Sequence, residues 1–86
     1  MQRGWVVSPE YRTAIVAIKA VRVEQGLSQR ELARRLGKHP SFVNKIEQLE
    51  RRLDVLEFIA IARAIGVAET ALLQTIVQAL PASLEV

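Results

Sequence analysis

One stretch of the sequence, GLSQRELARRLGKHPSFVNKIE from Gly26 to Glu47, constrains the fold more than any other. It holds two short amphipathic segments that meet at Gly37, where a glycine permits the left-handed backbone of a tight turn. Ala33 is small where the second helix of this corner would approach. Val43 and Ile46, on that second helix, are spaced to insert against the helix that carries Ala33. Together these positions predict two helices that cross at a fixed corner, the helix-turn-helix arrangement.

The second helix of this corner carries polar residues on the side that faces away from the core. Apolar residues at helical spacing point inward, which leaves one outward face for four polar ones: Ser41, Asn44, Lys45 and Gln48. The segment from Ser28 to Arg52 holds seven basic and three acidic residues, a balance of +4, whereas the whole chain is +3. Such a basic segment is typical of a surface that binds a polyanion. The alternative is an ordinary solvated helix surface.

The whole chain reads as a succession of helices in one domain of residues 1–86. Three sites carry the residues that commonly begin a helix. Ser8 precedes Pro9, and the pairs Ser28–Glu31 and Asp54–Glu57 have the spacing of capping boxes. We predict an all-α, compact five-helix fold, with helices at about 9–25, 28–36, 40–48, 55–65 and 69–80. The fourth helix is apolar almost all round, which predicts that it lies at the centre of the fold.

Composition excludes several classes of protein. Half of the 86 residues are hydrophobic, enough for one core, but no apolar run approaches the ~20 residues of a membrane span. The chain has no cysteine, one histidine and no glycine-rich phosphate loop, so we expect no enzyme activity, no metal site and no cofactor. The N-terminus, MQRGWVVSPE, lacks the features of a secretory signal. We therefore expect a cytoplasmic protein with no membrane partner.

Three segments, GLSQRELARRLG, SFVNKIE and ERRLDVLEF, resemble the Cro and phage-repressor type of helix-turn-helix domain, also called the xenobiotic-response-element (XRE) type. The resemblance covers about two thirds of the chain, from Ile18 to Leu73, and points to small bacterial and prophage regulators. It implies the lambda-repressor-like, five-helix DNA-binding fold, with double-stranded DNA as the partner.

The resemblance also implies roles for individual residues. The helix at about 40–48 would lie in the major groove of DNA, where Pro40, Ser41 and Lys45 match base-contacting positions and Asn44 lies beside them. Pro40 has no N–H to donate, so its contact would be apolar, for instance with a thymine methyl group. Four residues match positions that contact the phosphate backbone: Gln29, Gln48, Arg51 and Arg52.

Several positions depart from the family pattern. Leu49 stands where a glycine usually follows the recognition helix, so we expect that helix to end differently, and the family pattern then does not define the loop geometry that positions Arg51. Lys38 replaces an apolar residue after the turn glycine. His39 replaces the usual Ser or Thr at the start of the helix, and we interpret it as a partly exposed loop histidine in preference to a DNA contact.

Arg22 falls on the apolar stripe of the first helix, where an unpaired charge would be costly. Glu47, at the edge of the inward face of the third helix, is the best-placed acid, and the family resemblance puts an arginine–glutamate pair at these two positions. We predict a bidentate, largely buried ion pair that joins the first helix to the third. The alternative is that Arg22 extends to solvent.

The fifth helix carries an apolar stripe that is too broad for the remaining core of a small domain. Ile76, Val77 and Leu80 lie beyond the family resemblance, and we expect them to be partly exposed on a monomer and to form the interface of a homodimer. In the alternative arrangement, Trp5 and Val6 of the N-terminal arm fold back over this stripe within one chain.

These features predict a sequence-specific regulator of transcription that binds double-stranded DNA. We expect a repressor that binds an inverted repeat as a homodimer. The alternative is an antitoxin or a protein-interaction adaptor, which would use the same fold to bind a toxin or another protein.

Overall fold

A computed structural model describes residues 7–84 of the chain. Within that range there are five α-helices and no strand: α1 (Pro9–Glu24), α2 (Gln29–Arg35), α3 (Phe42–Glu47), α4 (Val55–Ile65) and α5 (Glu69–Ala79). The predicted all-α, five-helix fold is confirmed. The longest of these helices, α1, has 16 residues, and none of the described helices combines the length and hydropathy of a membrane span. Trp5 and Val6 lie outside the described residues.

The starts of α1 and α4 follow from their capping residues. Ser8 Oγ accepts a hydrogen bond from the Tyr11 N–H at 3.0 Å, and Pro9 occupies the first turn of α1. A complete capping box forms at α4, because Asp54 Oδ1 accepts from the Glu57 N–H at 2.7 Å and Glu57 Oε1 accepts from the Asp54 N–H at 3.0 Å. Signals within a few residues of the chain thus determine where these helices begin.

The capping box expected at α2 forms only in part. Ser28 Oγ accepts from the Glu31 N–H at 3.0 Å, as predicted. The Glu31 carboxylate, however, accepts from the guanidinium groups of Arg34 and Arg35 at 2.6 to 3.0 Å. These hydrogen bonds lower the pKa of the Glu31 carboxyl to about 2. Glu31 therefore offsets part of the basic charge of α2.

The helix α3 begins at Phe42, two residues later than the sequence predicts. The Phe42 N–H donates to the His39 carbonyl at 2.9 Å, a bond that spans three residues and closes a turn ahead of the helix. The four-residue bonds of the helix start when the Lys45 N–H donates to the Ser41 carbonyl at 3.0 Å. Pro40 lies in the turn, where its missing N–H costs no helical hydrogen bond.

All five helices contribute to one core. The helix α1 packs against α3 and α5, α2 packs against α3 and α4, and α4 also packs against α5. Each helix supplies at least one side chain that is almost fully buried: Ile15, Leu32, Val43, Ile61 and Leu72. Ala33 is completely buried, as its small size at the helix-turn-helix corner predicts. The corner is therefore fixed to the rest of the fold, and so is the orientation of α3.

The helix α4 is not the central helix that its apolar sequence suggests. It buries Ile61, Ala62 and Ile65, whereas Val55 and Leu56 at its start are 74% and 76% exposed. The reason is that its neighbours among the described helices, α2 and α5, cover one side of α4 and leave the other side in solvent. Part of the apolar surface of α4 is thus available to another molecule.

The helix α5 buries one part of its apolar stripe and exposes the other. Leu72 and Ile76, one helical turn apart, face the core, and Ile76 is only 7% exposed. The prediction that Ile76 is partly exposed on a monomer is therefore wrong. Because successive side chains are ~100° apart around a helix, Leu73 and Val77 point away from the core and remain 51% and 52% exposed. Leu80 is half-buried at the edge of the core.

Leu49 ends α3 in the left-handed conformation that glycine usually supplies, with φ of 63°. Its N–H donates to the Ile46 carbonyl at 3.1 Å, and the Glu50 N–H donates to the Lys45 carbonyl at 2.9 Å. These are the two hydrogen bonds of a Schellman motif. The expectation that α3 would end differently is therefore wrong, because the backbone leaves the helix as it would with glycine.

Burial of the Leu49 side chain offsets the strain in its backbone. A left-handed conformation costs a residue other than glycine ~1–2 kcal/mol. Full burial of a leucine side chain contributes ~1.5–3 kcal/mol. Leu49 is 3% exposed, so it receives nearly all of the second contribution. The leucine therefore both closes α3 and adds to the core beneath the loop.

Candidate nucleic-acid interface

The helix α3 presents its polar residues on the outside of the helix-turn-helix corner. Val43 and Ile46 are buried against the other helices. The opposite face brings together the four residues of the predicted outward set. Ser41 and Asn44 are half-buried, and Lys45 and Gln48 are exposed. All four lie within eight consecutive residues, and an α-helix with its side chains is ~10–12 Å across. A helix with such a face fits the major groove of B-DNA, which is ~12 Å wide.

A buried ion pair joins α1 to α3. Arg22 Nε donates to Glu47 Oε2 at 2.7 Å, and Arg22 Nη2 donates to Glu47 Oε1 at 3.0 Å, which is a bidentate geometry. The other terminal nitrogen, Nη1, donates to the Leu27 carbonyl at 2.6 Å. Arg22 is 7% exposed, so the structure places its charge inside the protein and beside Glu47. This contact fixes the C-terminal end of α3.

Gln29, the first residue of α2, lies against the same carboxylate. Its Nε2 donates to Glu47 Oε1 at 2.7 Å. Because an amide nitrogen carries two hydrogens, one N–H of Gln29 remains able to donate to an anion outside the protein. Glu47 thus orients the side chain that the family resemblance assigns to a phosphate contact.

The loop after α3 is held in place by Arg51. Its Nη1 and Nη2 donate to the two carboxylate oxygens of Glu57 at 2.8 and 2.5 Å, and its guanidinium lies 4.9 Å from the centre of the Phe42 ring. The hydrogen bonds from Arg51 hold the pKa of the Glu57 carboxyl below its usual value. Arg51 therefore ties the loop to the start of α4 and uses part of its donor capacity within the protein.

Aromatic contacts also position the neighbouring arginine, Arg52. Its guanidinium lies 4.8 Å from the centre of the Tyr11 ring. Tyr11 Oη accepts a hydrogen bond from the Leu53 N–H at 3.0 Å, so the same tyrosine holds the loop backbone to α1. Both arginines of the loop thus have defined positions before any DNA is bound.

His39 has a structural role that the sequence does not predict. It is exposed, as expected of a loop histidine, but its Nδ1 accepts a hydrogen bond from the Ser41 backbone N–H at 3.1 Å and lies 2.9 Å from Ser41 Oγ. The ring supplies the acceptor that a Ser or Thr N-cap would supply at this position. The signal that could have indicated this role is a side-chain acceptor two residues before the backbone N–H that it caps.

Two basic residues extend this surface beyond the predicted contacts. Arg30 and Lys38 line a shallow cavity between α2 and the turn before α3. The rest of its lining is Ser28, Glu31, Arg34 and Pro40, so basic residues outnumber acidic ones three to one. Lys38 Nζ also lies 5.5 Å from the centre of the Phe42 ring. The basic excess of the segment from Ser28 to Arg52 is the sequence signal for this enlarged positive surface.

Comparisons with known proteins identify the family. A helix-turn-helix family model matches residues 18–72. The structure of an XRE-family like protein from Pseudomonas syringae pv. tomato str. DC3000 is similar, with 42% sequence identity and a TM-score of 0.76 over 84% of this chain and 88% of that chain. The chain belongs to the XRE-type helix-turn-helix family.

More distant structures share the fold of this XRE-type chain. The restriction-modification controller protein C.Esp1396I has 21% identity and a TM-score of 0.77 over 84% of this chain and 92% of that chain. The clp gene regulator ClgR from C. glutamicum has 16% identity and a TM-score of 0.74 over 90% of this chain and 100% of that chain. No curated protein matches the sequence. At these identities the structural likeness shows the fold alone.

Family membership makes this XRE-type chain a DNA-binding transcriptional regulator. Its family and fold are those of DNA-binding regulators and not those of enzymes. The residues that the family model covers include the outward face of α3, the buried Arg22–Glu47 pair and the loop after α3 that carries Arg51 and Arg52.

Proposed function

We propose that the chain is a repressor that acts as a single domain of residues 1–86 and binds an inverted repeat in double-stranded DNA as a homodimer. The observation that carries this proposal is the outward face of α3, where Ser41, Asn44 and Lys45 stand on a helix whose inward face is fixed by the core. Reading base edges requires donors and acceptors that are held in place. We therefore assign α3 to the major groove of each half-site.

In this arrangement eight residues contact DNA. Four face base edges: Pro40, Ser41, Asn44 and Lys45. Exposed Lys45 suits guanine O6 and N7, and Pro40 suits a thymine methyl group. Four others contact phosphates: Gln29, Gln48, Arg51 and Arg52. Gln29 contributes its remaining amide N–H. Arg51 contributes the N–H groups that bind neither Glu57 nor the Arg52 carbonyl.

A second copy of the chain is the proposed occupant of the apolar surface that α4 and α5 leave exposed. Val55 of α4 and Leu73 of α5 line the groove between the two helices. Val77, one helical turn after Leu73, and Leu56, next to Val55, are also exposed, and Leu80 is half-buried. The floor of the groove between the two helices is formed by Phe58, Ile59 and Ile76. Contiguous exposed apolar surface marks an interface, and a two-fold axis through it would pair two α3 helices. The controller protein C.Esp1396I, which shares the fold, is found as a tetramer in complex with its natural 35 base-pair operator, which supports assembly on DNA here.

The same apolar surface favours a second candidate function, an antitoxin or adaptor that binds a toxin or another protein. The oligomeric state of the purified chain separates the two candidates. A homodimer occupies the surface by itself, whereas an adaptor for a different protein leaves it uncovered in a monomer.

Selection from a pool of randomised duplex DNA tests the proposed function. We expect the chain to enrich an inverted repeat whose half-site centres lie ~34–36 Å apart, or a multiple of that distance. Expression of the chain should then lower transcription from a promoter that overlaps the enriched site. Enrichment of no sequence above non-specific binding would contradict the DNA-reading role, and enrichment of one asymmetric site would contradict the homodimer.

A further inference from the structure

The ring of His39 determines where the hydrogen of the Ser41 hydroxyl points. The Ser41 backbone N–H, 3.1 Å from His39 Nδ1, can only donate, so Nδ1 is the unprotonated nitrogen of a neutral ring and the ring hydrogen lies on Nε2. Ser41 Oγ lies 2.9 Å from the same Nδ1. With Nδ1 unprotonated, the hydroxyl donates to it as well, because two sets of lone pairs would repel each other at this distance. The backbone N–H and the hydroxyl of Ser41 thus share the one lone pair of Nδ1 in a three-centre hydrogen bond.

This arrangement limits what Ser41 can recognise. A serine hydroxyl can read any base in the major groove, because it both donates and accepts hydrogen bonds. With its single hydrogen directed at His39, Ser41 Oγ presents only lone pairs to DNA. The base atoms that donate in the major groove are the amino nitrogens N6 of adenine and N4 of cytosine.

We propose that His39 is a positioning residue for specificity, which restricts Ser41 to adenine or cytosine at one position of the half-site. The proposal rests on the DNA-reading role proposed above and adds the class of base that one side chain reads. Guanine and thymine present O6, N7 or O4 at the corresponding edge, all of them acceptors. At that position the lone pairs of these base atoms would face the lone pairs of Ser41 Oγ, which is repulsive.

The tautomer of His39 can be measured without DNA. The chain has one histidine, so in a preparation without a polyhistidine tag every imidazole ¹⁵N signal belongs to His39. NMR at a pH where the ring is neutral should show the hydrogen on Nε2. A ring with its hydrogen mainly on Nδ1 would overturn the proposal, because that nitrogen could not then accept from Ser41.

Site selection with three variants tests the effect on DNA reading. Ser41→Ala identifies the position that Ser41 reads, as the one whose base preference disappears. At that position the unsubstituted chain should favour adenine or cytosine over guanine and thymine by roughly 2- to 12-fold, the range for one net hydrogen bond. His39→Ala should remove this preference there and leave the other positions unchanged. His39→Asn is the matched control and should keep the preference, because an amide oxygen has two lone pairs and can accept from both the N–H and the hydroxyl of the residue two positions ahead.

The outcomes separate this proposal from the function on which it rests. Guanine or thymine at the position that Ser41 reads, an unchanged preference in His39→Ala, or no altered position in Ser41→Ala would overturn the proposal alone. Failure of the unsubstituted chain to enrich any sequence would overturn it together with the proposed function.

Discussion

Glu47→Leu is expected to lower the free energy of unfolding by about 3–5 kcal/mol, a large part of the ~5–15 kcal/mol that stabilises a small domain. The loss arises mainly from the partner left behind. Arg22 would keep its charge in the core, with the Leu27 carbonyl as its remaining acceptor among the described residues. Gln29 would lose its acceptor as well.

Arg22→Met combined with Glu47→Leu should be close to neutral, because no charge then stays buried. Urea unfolding, followed by circular dichroism, measures the free energy of unfolding of each variant. Urea adds no salt, and salt would screen the ion pairs. Arg34→Met is the matched control, since it removes an exposed arginine that pairs with Glu31, and it should change stability little. If the double variant were as unstable as Glu47→Leu, the loss of stability would come from lost packing and not from an unpaired buried charge.

Leu73→Asp combined with Val77→Asp is expected to convert the proposed dimer into a folded monomer. Both side chains are about half exposed on one chain, so aspartate there costs little on folding, but two copies would bury it without a partner. Affinity for the full inverted repeat should fall by ~10²- to 10⁴-fold, because the second half-site no longer adds its contacts. Affinity for an isolated half-site should stay the same.

Sedimentation velocity and DNA titration together test this placement of the interface. Val16→Asp combined with Val23→Asp is the matched control, because these exposed valines lie on α1, away from the groove between α4 and α5. Ile76 is unsuitable for substitution because it is buried, and a charge there would destabilise the monomer itself. A dimeric Leu73→Asp/Val77→Asp variant, or a monomeric control, would contradict the proposed interface.

Short-range signals in the sequence predict much of this fold. Ser8 and Asp54 cap their helices because their side chains reach N–H groups three residues ahead, a geometry that depends on local spacing alone. Ala33 could be assigned to the corner from its size and spacing. The cost of burying an unpaired charge, together with the family resemblance, was sufficient to predict that Arg22 would face Glu47.

Features that depend on tertiary packing escaped prediction. Leu49 adopts a glycine conformation because burial outweighs local strain, and burial is set by helices distant in sequence. Ile76 is buried because α5 is rotated to place it in the core, and an apolar stripe alone does not specify that rotation. His39 caps the turn before α3 through a ring geometry for which residue type is a weak guide.

The proposed position of α3 in the DNA major groove is tested most directly through Lys45. The measurement compares the affinity of the chain for its selected site when that site contains guanine and when it contains 7-deazaguanine, which lacks N7. Lys45→Ala should weaken binding to the guanine site by about 1–3 kcal/mol and should no longer distinguish the two bases, whereas the unsubstituted chain should prefer guanine. Lys19→Ala removes the same charge from an exposed position on α1 and should keep that preference. Binding of Lys45→Ala as tight as that of the unsubstituted chain, together with indifference of the unsubstituted chain to N7, would contradict the placement of α3 in the groove.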